Sequence, residues 1–483
     1  MFTVEKANKF IRELAVLKDD VFRPKYHFTP KCGWCNDPHG ITYFNGKFHM
    51  FFQYHPYEPW PKEMHWGHVT TEDFIHFDEV RAAIAPNMPY DNSGCWSGSV
   101  IVKNEKIYAY YTGFALHDDG KYYQTICLAI SEDGEHFVKY ENNPVIGMEQ
   151  IPEFANIYDF RDPCVFFEGD DLYLIVGTKN DKEAMTLLYH SKDMLHFDFV
   201  KVLAKSSDYG TMFECPNLIR HNNHNYLVVS PQNIKMKDDN FFNVSSCIYF
   251  PLPKDLVRED AEVKNVKEID HGMEYYAPNV YDKEKILVSW FQMWGRRYYL
   301  AEIGRPYCNS FSLFRKIVED GDELKFIPLP QYRDLFENKE EIECDLISPI
   351  VKTYGKQFHL DLEVEVKPNL MFVLELTKIG EEALKVMLDV NNERIIIDRT
   401  NLKEQLGGVD NTPATKGMRW LKLKSLDKTF KFDIYVDSEL IEIYVNDYKD
   451  SFNVMSFSQG DDIALISNMK TKIKMIKHDV VVK

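Results

Sequence analysis

With 483 residues, 45% of them hydrophobic and 14% aromatic, the chain can form two domains with their own cores and needs neither disulfides nor a metal to fold. A formal charge of −18, with no concentrated block of Lys and Arg, excludes nucleic acid and anionic membranes as partners and leaves a small neutral or locally steered substrate. Nine cysteines argue against a disulfide framework, no apolar run is long enough to span a membrane, and the opening MFTVEKANKF lacks the apolar core of a secretory signal, so the expected location is cytoplasmic.

Val4, Ala7, Phe10, Ile11, Leu14 and Leu17 recur at helical spacing, which predicts one amphipathic helix in a lead-in over residues 1–21. From residue 22 the apolar period becomes two. Runs such as KFHMFFQY, KIYAYYTG, DLYLIVGT, NYLVVS and KILVSW are rich in Tyr, Phe, Val and Ile and bounded by Gly, Asn and Asp, so they read as strands. In register, five units repeat: NDPHGITYFNGKFHMFF, WSGSVIVKNEKIYAYY, RDPCVFFEGDDLYLIV, ECPNLIRHNNHNYLVV and YAPNVYDKEKILVSW. Each is strand, polar hairpin, strand. Three copies continue into a third strand with a related turn, in HVTTEDFIHF, LAISEDGEHF and LYHSKDMLHF. Repeated antiparallel sheets without helical crossovers predict a five-bladed β-propeller over residues 22–330, with a stacked solenoid as the runner-up. After a linker at 331–343 the pattern becomes FHLDLEVEV, LMFVLEL, LKVMLDV, ERIIID and FDIYVDSELIEIYVN, which predicts a β-sandwich over residues 344–483. The fold class is thus all-β.

Asp37, Asp162 and Glu214 occupy matching or adjacent positions at the start of the first strand in copies one, three and four. In a radial array such positions converge on the axis, so three acids remote in sequence should meet at one mouth of the channel. Pro38, Pro163 and Pro216 follow them and predict extended geometry for the residues they follow. Solvated turn caps would explain one such acid but not three in register. Gathered carboxylates repel, which points to function. Paired carboxyls suit cleavage of a glycosidic bond; calcium binding is the rival use, but the oxygen-ligand spacing of a calcium loop is absent. Trp34, Trp60, Trp66, Trp96, Trp290 and Trp294 lie near the predicted strand starts or their loops, where flat rings can pack on sugar faces, although core packing explains each one singly.

The segment YHFTPKCGWCNDPHG resembles the WMNDPNG motif of glycoside hydrolase family 32, the invertases and other β-fructosidases. The resemblance runs through FFQYHP, HWGHVT, CWSGSV, FRDPCVF, ECPNL, DHGMEYYAPN and SWFQMW, in the family's order, to DSELIEIYVND. It covers essentially the whole chain and is most similar to the intracellular bacterial members. The resemblance implies that Asp37 is the nucleophile, Glu214 the general acid and then base, and Asp162 the stabiliser of the transition state. It implies that Asn36, Gln53, Trp60 or Trp66, Trp96, Ser97, Arg161 and Trp290 line the fructosyl pocket, with Glu274 at a position where Asp is usual. Other departures are Cys35 for Met, His39 for Asn and Trp96 for Phe. The implied activity is retaining hydrolysis of β-fructofuranosyl residues in sucrose, sucrose 6-phosphate or short fructo-oligosaccharides. It requires no cofactor and no metal, and a homo-oligomer is compatible with it. Two neighbouring carboxylates and burial should raise the pKa of Glu214. Lys62, Arg296 and Arg297 are the candidates for a phosphate contact.

Cys32-Gly-Trp-Cys35 has the spacing of a redox dithiol, but it leads into a strand instead of opening a helix, which argues against that use. His65 and His68 lack a third ligand at a recognisable spacing and read as core or exposed histidines. Asp437, Glu439 and Glu442 read as a solvated sandwich edge, although the resemblance allows one of them to reach a neighbouring subunit's site. Two rival functions are an inverting propeller glycosidase for arabinosyl or xylosyl substrates and a carbohydrate-binding propeller without catalysis.

Overall fold

A computed structural model describes residues 1–483 except 15–16, 18–19, 222–223, 238, 408–416 and 482–483. The helix α1 runs over Val4–Glu13 and starts where the Thr3 hydroxyl accepts from the Lys6 amide at 3.2 Å. It is shorter than the apolar spacing predicts, because Leu14 is already extended at the C-cap. Asn8 clips it to the first sheet by bonding both the amide and the carbonyl of Ala82.

Five sheets of four or five strands follow, each opening on an inner strand: β1 Gly33–Phe44, β2 Gly94–Lys103, β3 Phe160–Glu168, β4 Met212–Arg220 and β5 Tyr276–Tyr281. Neighbouring inner strands touch in cyclic order and β5 returns to β1, which closes the ring of a propeller. The second strands lie where the apolar runs predict them, at Lys47–His55, Lys106–Leu116, Asp171–Lys179, Asn225–Gln232 and Ile286–Trp290. The repeated turn has a physical basis. In Asp73, Asp133 and Asp193, Oδ1 accepts backbone amides and Oδ2 sits 2.7 Å from Nδ1 of His76, His136 and His196.

The sandwich comprises two six-stranded sheets. Its strands include β6 Gln357–Glu365, β7 Thr429–Asp437, β8 Leu440–Val445 and β9 Thr471–Val480. On β6 the alternate residues Phe358, Leu360, Leu362 and Val364 enter the core between the sheets. Truncating Leu360 to Ala there would cost about 2–5 kcal/mol. Among the described residues no helix is long and apolar enough to cross a membrane.

The joint between the domains corrects one sequence expectation. Asp437, Glu439 and Glu442 are fully buried instead of forming a solvated edge, because the β7–β8 hairpin inserts against the propeller. Asp437 accepts from the amides of Lys25, Tyr26 and His27, and Glu442 from the amide of Leu313 and from Arg315. Among the described residues Glu439 has no partner for either carboxyl oxygen, and burial raises its pKa well above the usual range. Gly272 admits the sandwich backbone: a Cβ there would lie 2.2 Å from Asn453.

Candidate active site

Each inner strand carries a β-bulge at the same level, between Asn36 and Pro38, Trp96 and Gly98, Glu214 and Asn217, Tyr276 and Asn279, and opposite Ile175 and Gly177 on β3. At these bulges Asp37, Asp162, Cys215 and Ala277 have φ of 38°, 63°, 47° and 46°. The prolines therefore do not hold their predecessors extended, as the sequence predicts. The bulge twists the strand and turns successive side chains towards the axis, at a cost of about 1–3 kcal/mol for each strained residue.

The bulges bring the three acids together as the repeat predicts. Asp37 Oδ2 accepts from Gln53 Nε2 at 3.0 Å and from the Ser97 hydroxyl at 2.8 Å. Asp162 Oδ2 accepts the Cys215 amide at 2.9 Å. The Cys215 thiol bridges the two aspartates, 3.6 Å from Asp162 Oδ2 and 3.9 Å from Asp37 Oδ2. Arg161 donates to Glu214 Oε1 from Nε at 3.1 Å and from Nη2 at 2.8 Å, and the Tyr276 hydroxyl donates to Oε2 at 2.5 Å. Gln124 and Asp159 hold the other side of Arg161 at 3.1 and 2.9 Å.

Burial and shared charge raise the pKa values of the two aspartates. Burial, followed by the charge of Asp162, pushes Asp37 up to about 7, while the side-chain hydrogen bonds of Asn36 and Ser97 act the other way. Burial likewise lifts Asp162 to about 6; Arg161 opposes the rise and Glu214 assists it. Among the described residues Trp290 Nε1 is buried without a partner, and Asp37 Oδ1 and Asn36 Nδ2 have none beyond each other. A buried polar atom is costly to leave unpaired, so a polar ligand that reached these atoms would satisfy them. Asn36 is oriented by Trp34, whose Nε1 donates to Oδ1 at 2.7 Å.

Not every residue named from the sequence lies at this mouth. Trp66 is fully buried, and its Nε1 donates to the carbonyl of Trp96, so it buttresses Trp96 instead of lining a pocket. Trp60 is 37% exposed and meets Tyr298, which itself packs on Trp34 with ring centroids 4.5 Å apart. Trp96 stacks on Phe114 at 3.9 Å. Glu274 lies in the joint between domains, two residues before the inner strand begins, and its carboxylate is consumed there by two bonds from Arg399 and one from the Met455 amide. Of the phosphate candidates, Arg296 is buried beside Glu274, Arg297 is paired with Glu302, and Lys62 is paired with Glu58. Tyr276, Gln124 and Asp159 join the site without having been singled out as site residues. For Tyr276 the repeat held the signal, because Glu214 and Tyr276 both stand two residues before the proline of their copies.

The remaining motifs are packing features. Cys32 and Cys35 are free and buried, and burial raises both thiol pKa values, the opposite of what a reactive dithiol needs. His68 pairs with His49 at 3.0 Å and His65 with the Glu63 carbonyl, so both are core histidines.

A closed ring of sheets whose mouth gathers three carboxyls, an arginine fork and an aromatic wall defines a propeller glycoside hydrolase. The family model of the glycosyl hydrolases family 32 N-terminal domain matches residues 27–328, and that of the C-terminal domain matches residues 332–480. The chain belongs to glycosyl hydrolase family 32. Among its relatives, a sucrose-6-phosphate hydrolase of Escherichia coli is 27% identical, over 98% of this chain and 97% of that one. One of Vibrio alginolyticus is 30% identical, over 88% and 84%. Among solved structures, a β-fructofuranosidase of Bombyx mori superposes with a TM-score of 0.85 at 26% identity, covering 99% of this chain and 98% of that one. A sucrose-6-phosphate hydrolase from Lactobacillus gasseri shares the fold with a TM-score of 0.87 at 23% identity, covering 100% and 99%.

Proposed function

We propose that this enzyme hydrolyses terminal β-D-fructofuranosyl residues of sucrose, sucrose 6-phosphate or short fructo-oligosaccharides with retention of configuration. The observation that carries the proposal is the convergence of Asp37, Asp162 and Glu214, with Cys215 bridging the aspartates and Arg161 gripping the glutamate. Asp37 attacks the anomeric C2 through Oδ1, the oxygen that Gln53 and Ser97 do not hold. Glu214 gives a proton to the leaving glycosidic oxygen as the C2–O bond breaks. It then takes a proton from the water that cleaves the fructosyl ester and releases Asp37. Asp162 stays outside the bond changes and stabilises positive charge on the fructosyl ring. Asn36 Nδ2 and Trp290 Nε1 supply hydrogen bonds to fructosyl hydroxyls. Supporting sucrose as a substrate type, a variant of the Bombyx mori enzyme has been solved in complex with sucrose. All nine cysteines are free, which suits a reducing compartment and supports a cytoplasmic location.

Proton NMR of the first-formed product tests the stereochemistry. Release of β-fructofuranose supports the double displacement, and release of the inverted anomer refutes it. Catalytic efficiencies on sucrose, sucrose 6-phosphate and kestose, measured side by side, assign the leaving group.

A further inference from the structure

One face of the sandwich gathers metal-ligating side chains that the reaction does not use. His359 and Asp361 are two residues apart on β6 and therefore share a face. His478 on β9 lies directly opposite His359, and Asp433 on β7 directly opposite Asp361. One ligand atom each from His359, Asp361 and His478 lie within 4.8 Å of one another. None of these residues bonds to Asp37, Asp162 or Glu214.

A cationic nitrogen already occupies the focus of this cluster. Nη1 of Arg333, from the turn joining the two domains, is 3.1 Å from His359 Nδ1 and 3.2 Å from Asp361 Oδ2, while Nη2 is 2.6 Å from Asp433 Oδ2. A guanidinium N–H only donates, so Nδ1 of His359 must present its lone pair. The ring's Nε2–H then donates to Asp433 Oδ1 at 2.7 Å. A lone pair on one nitrogen and a carboxylate fixing the other is how metal-binding imidazoles are held. His478 Nε2 lies 3.2 Å from Asp361 Oδ2, close to the roughly 3.3 Å edge of a tetrahedral zinc site. An ion pair of Arg333 with Asp361 and Asp433 would need neither imidazole.

We propose that His359, Asp361 and His478 form a site for a divalent transition metal of the zinc class, with Asp433 orienting His359 and Arg333 acting as a built-in competing cation. Two imidazoles and one carboxylate favour zinc, nickel or copper over magnesium or calcium. The Arg333 side chain is 38% exposed, and entry of the ion requires it to release Asp361, Asp433 and the Tyr435 ring face and turn to solvent. Water takes the fourth position.

Titration of the chelator-stripped full-length chain with Zn²⁺ by calorimetry, and with Co²⁺ by visible absorption, tests the site. The expected result is one ion per chain at these residues, bound at least about tenfold more tightly by Arg333→Gln, which removes the competing charge. His478→Ala is expected to weaken zinc binding by about 10- to 100-fold and to abolish the cobalt band. Sucrose hydrolysis by both folded variants should match the unaltered enzyme. Failure of both the unaltered chain and Arg333→Gln to bind overturns the proposal, as does binding that His478→Ala leaves unchanged. If His478→Ala does not fold, Arg333→Gln decides: tighter zinc binding supports the site and unchanged binding refutes it.

Discussion

Nε and Nη2 of Arg161 both donate to a single oxygen of Glu214, at 3.1 and 2.8 Å, while the Tyr276 hydroxyl holds the other oxygen. The carboxyl is thus fixed by three donors from two strands. Lysine keeps the charge of Arg161 but not its planar fork, so it cannot make both bonds to Glu214 and also reach Gln124 and Asp159. Arg161→Lys is expected to lower kcat/KM by about 10- to 100-fold, the equivalent of one or two charge-assisted hydrogen bonds. An undiminished kcat/KM in a normally folded variant would remove Arg161 from the catalytic assembly.

What was legible in the sequence follows from what repeats. The second strands, the triple Asp–His turn and the meeting of Asp37, Asp162 and Glu214 all express one period written several times, and register alone placed them. Burial across the joint expresses no period. The alternation of β7 and β8 shows which residues share a face but not that a second domain covers the outer one, so Asp437, Glu439 and Glu442 look solvated until the propeller is in place. The bulges were hidden for a related reason: proline predicts an extended predecessor locally, but the ring needs a turn of side chains at that level and imposes positive φ on Asp37 and Asp162. Trp66 and Trp96 are alike in sequence, and only the structure shows the first supporting the second.

In the proposed mechanism Asp37 is the nucleophile and must be ionised to attack. Burial and the charge of Asp162 push its carboxyl up to about 7, so kcat/KM on sucrose should fall as pH drops through that value. The Ser97 hydroxyl favours the ionised form by donating to Oδ2. Ser97→Ala should therefore move the acid limb upward by about half a unit to one unit. A limb that stays in place or moves down would show that Asp37 does not control it.

The same shift has a cost in stability. The folded chain holds a proton on Asp37 between the ordinary carboxyl value of 3.8 and about 7, whereas the unfolded chain releases it, so stability from this site is lost as pH rises across that window. Asp37→Asn removes the cost. Urea unfolding should find the variant more stable than the unaltered protein at pH 8, by at least about 1 kcal/mol, with the difference shrinking at pH 4. Equal differences at the two pH values would contradict a raised Asp37.

At the domain joint, Arg315 is fully buried between Asp270 at 3.1 Å and Glu442 at 2.8 Å. Removing one partner leaves charge behind in a dry interior. Arg315→Met should destabilise the fold by about 3–5 kcal/mol in urea unfolding, and adding Glu442→Gln should recover part of that loss. A single variant as stable as the unaltered protein would show that water reaches the joint.

His27 gives the joint an alkaline limit. Its ring lies between Asp437 at 2.9 Å and Glu442 at 3.4 Å with no solvent exposure. Burial alone would keep the imidazole neutral, but the hydrogen bonds and charges of Asp437 and Glu442 prevail and raise its pKa to about 9. Other charged groups face the same cluster: Arg315 stabilises Glu442, while Glu439 adds no hydrogen bond. The raised pKa means the pairing contributes in full below pH 6.5 and is lost as pH climbs through about 9. Unfolding free energy should therefore decline by up to about 3 kcal/mol between pH 7 and pH 10, and His27→Gln should flatten that decline after its own loss at pH 7. His271, held by Glu268 and Asp450 and raised to about 10, adds a second decline at the upper end that His27→Gln does not touch. A slope identical in the variant and the unaltered chain would assign the whole alkaline limit to His271 and leave His27 neutral in the folded protein.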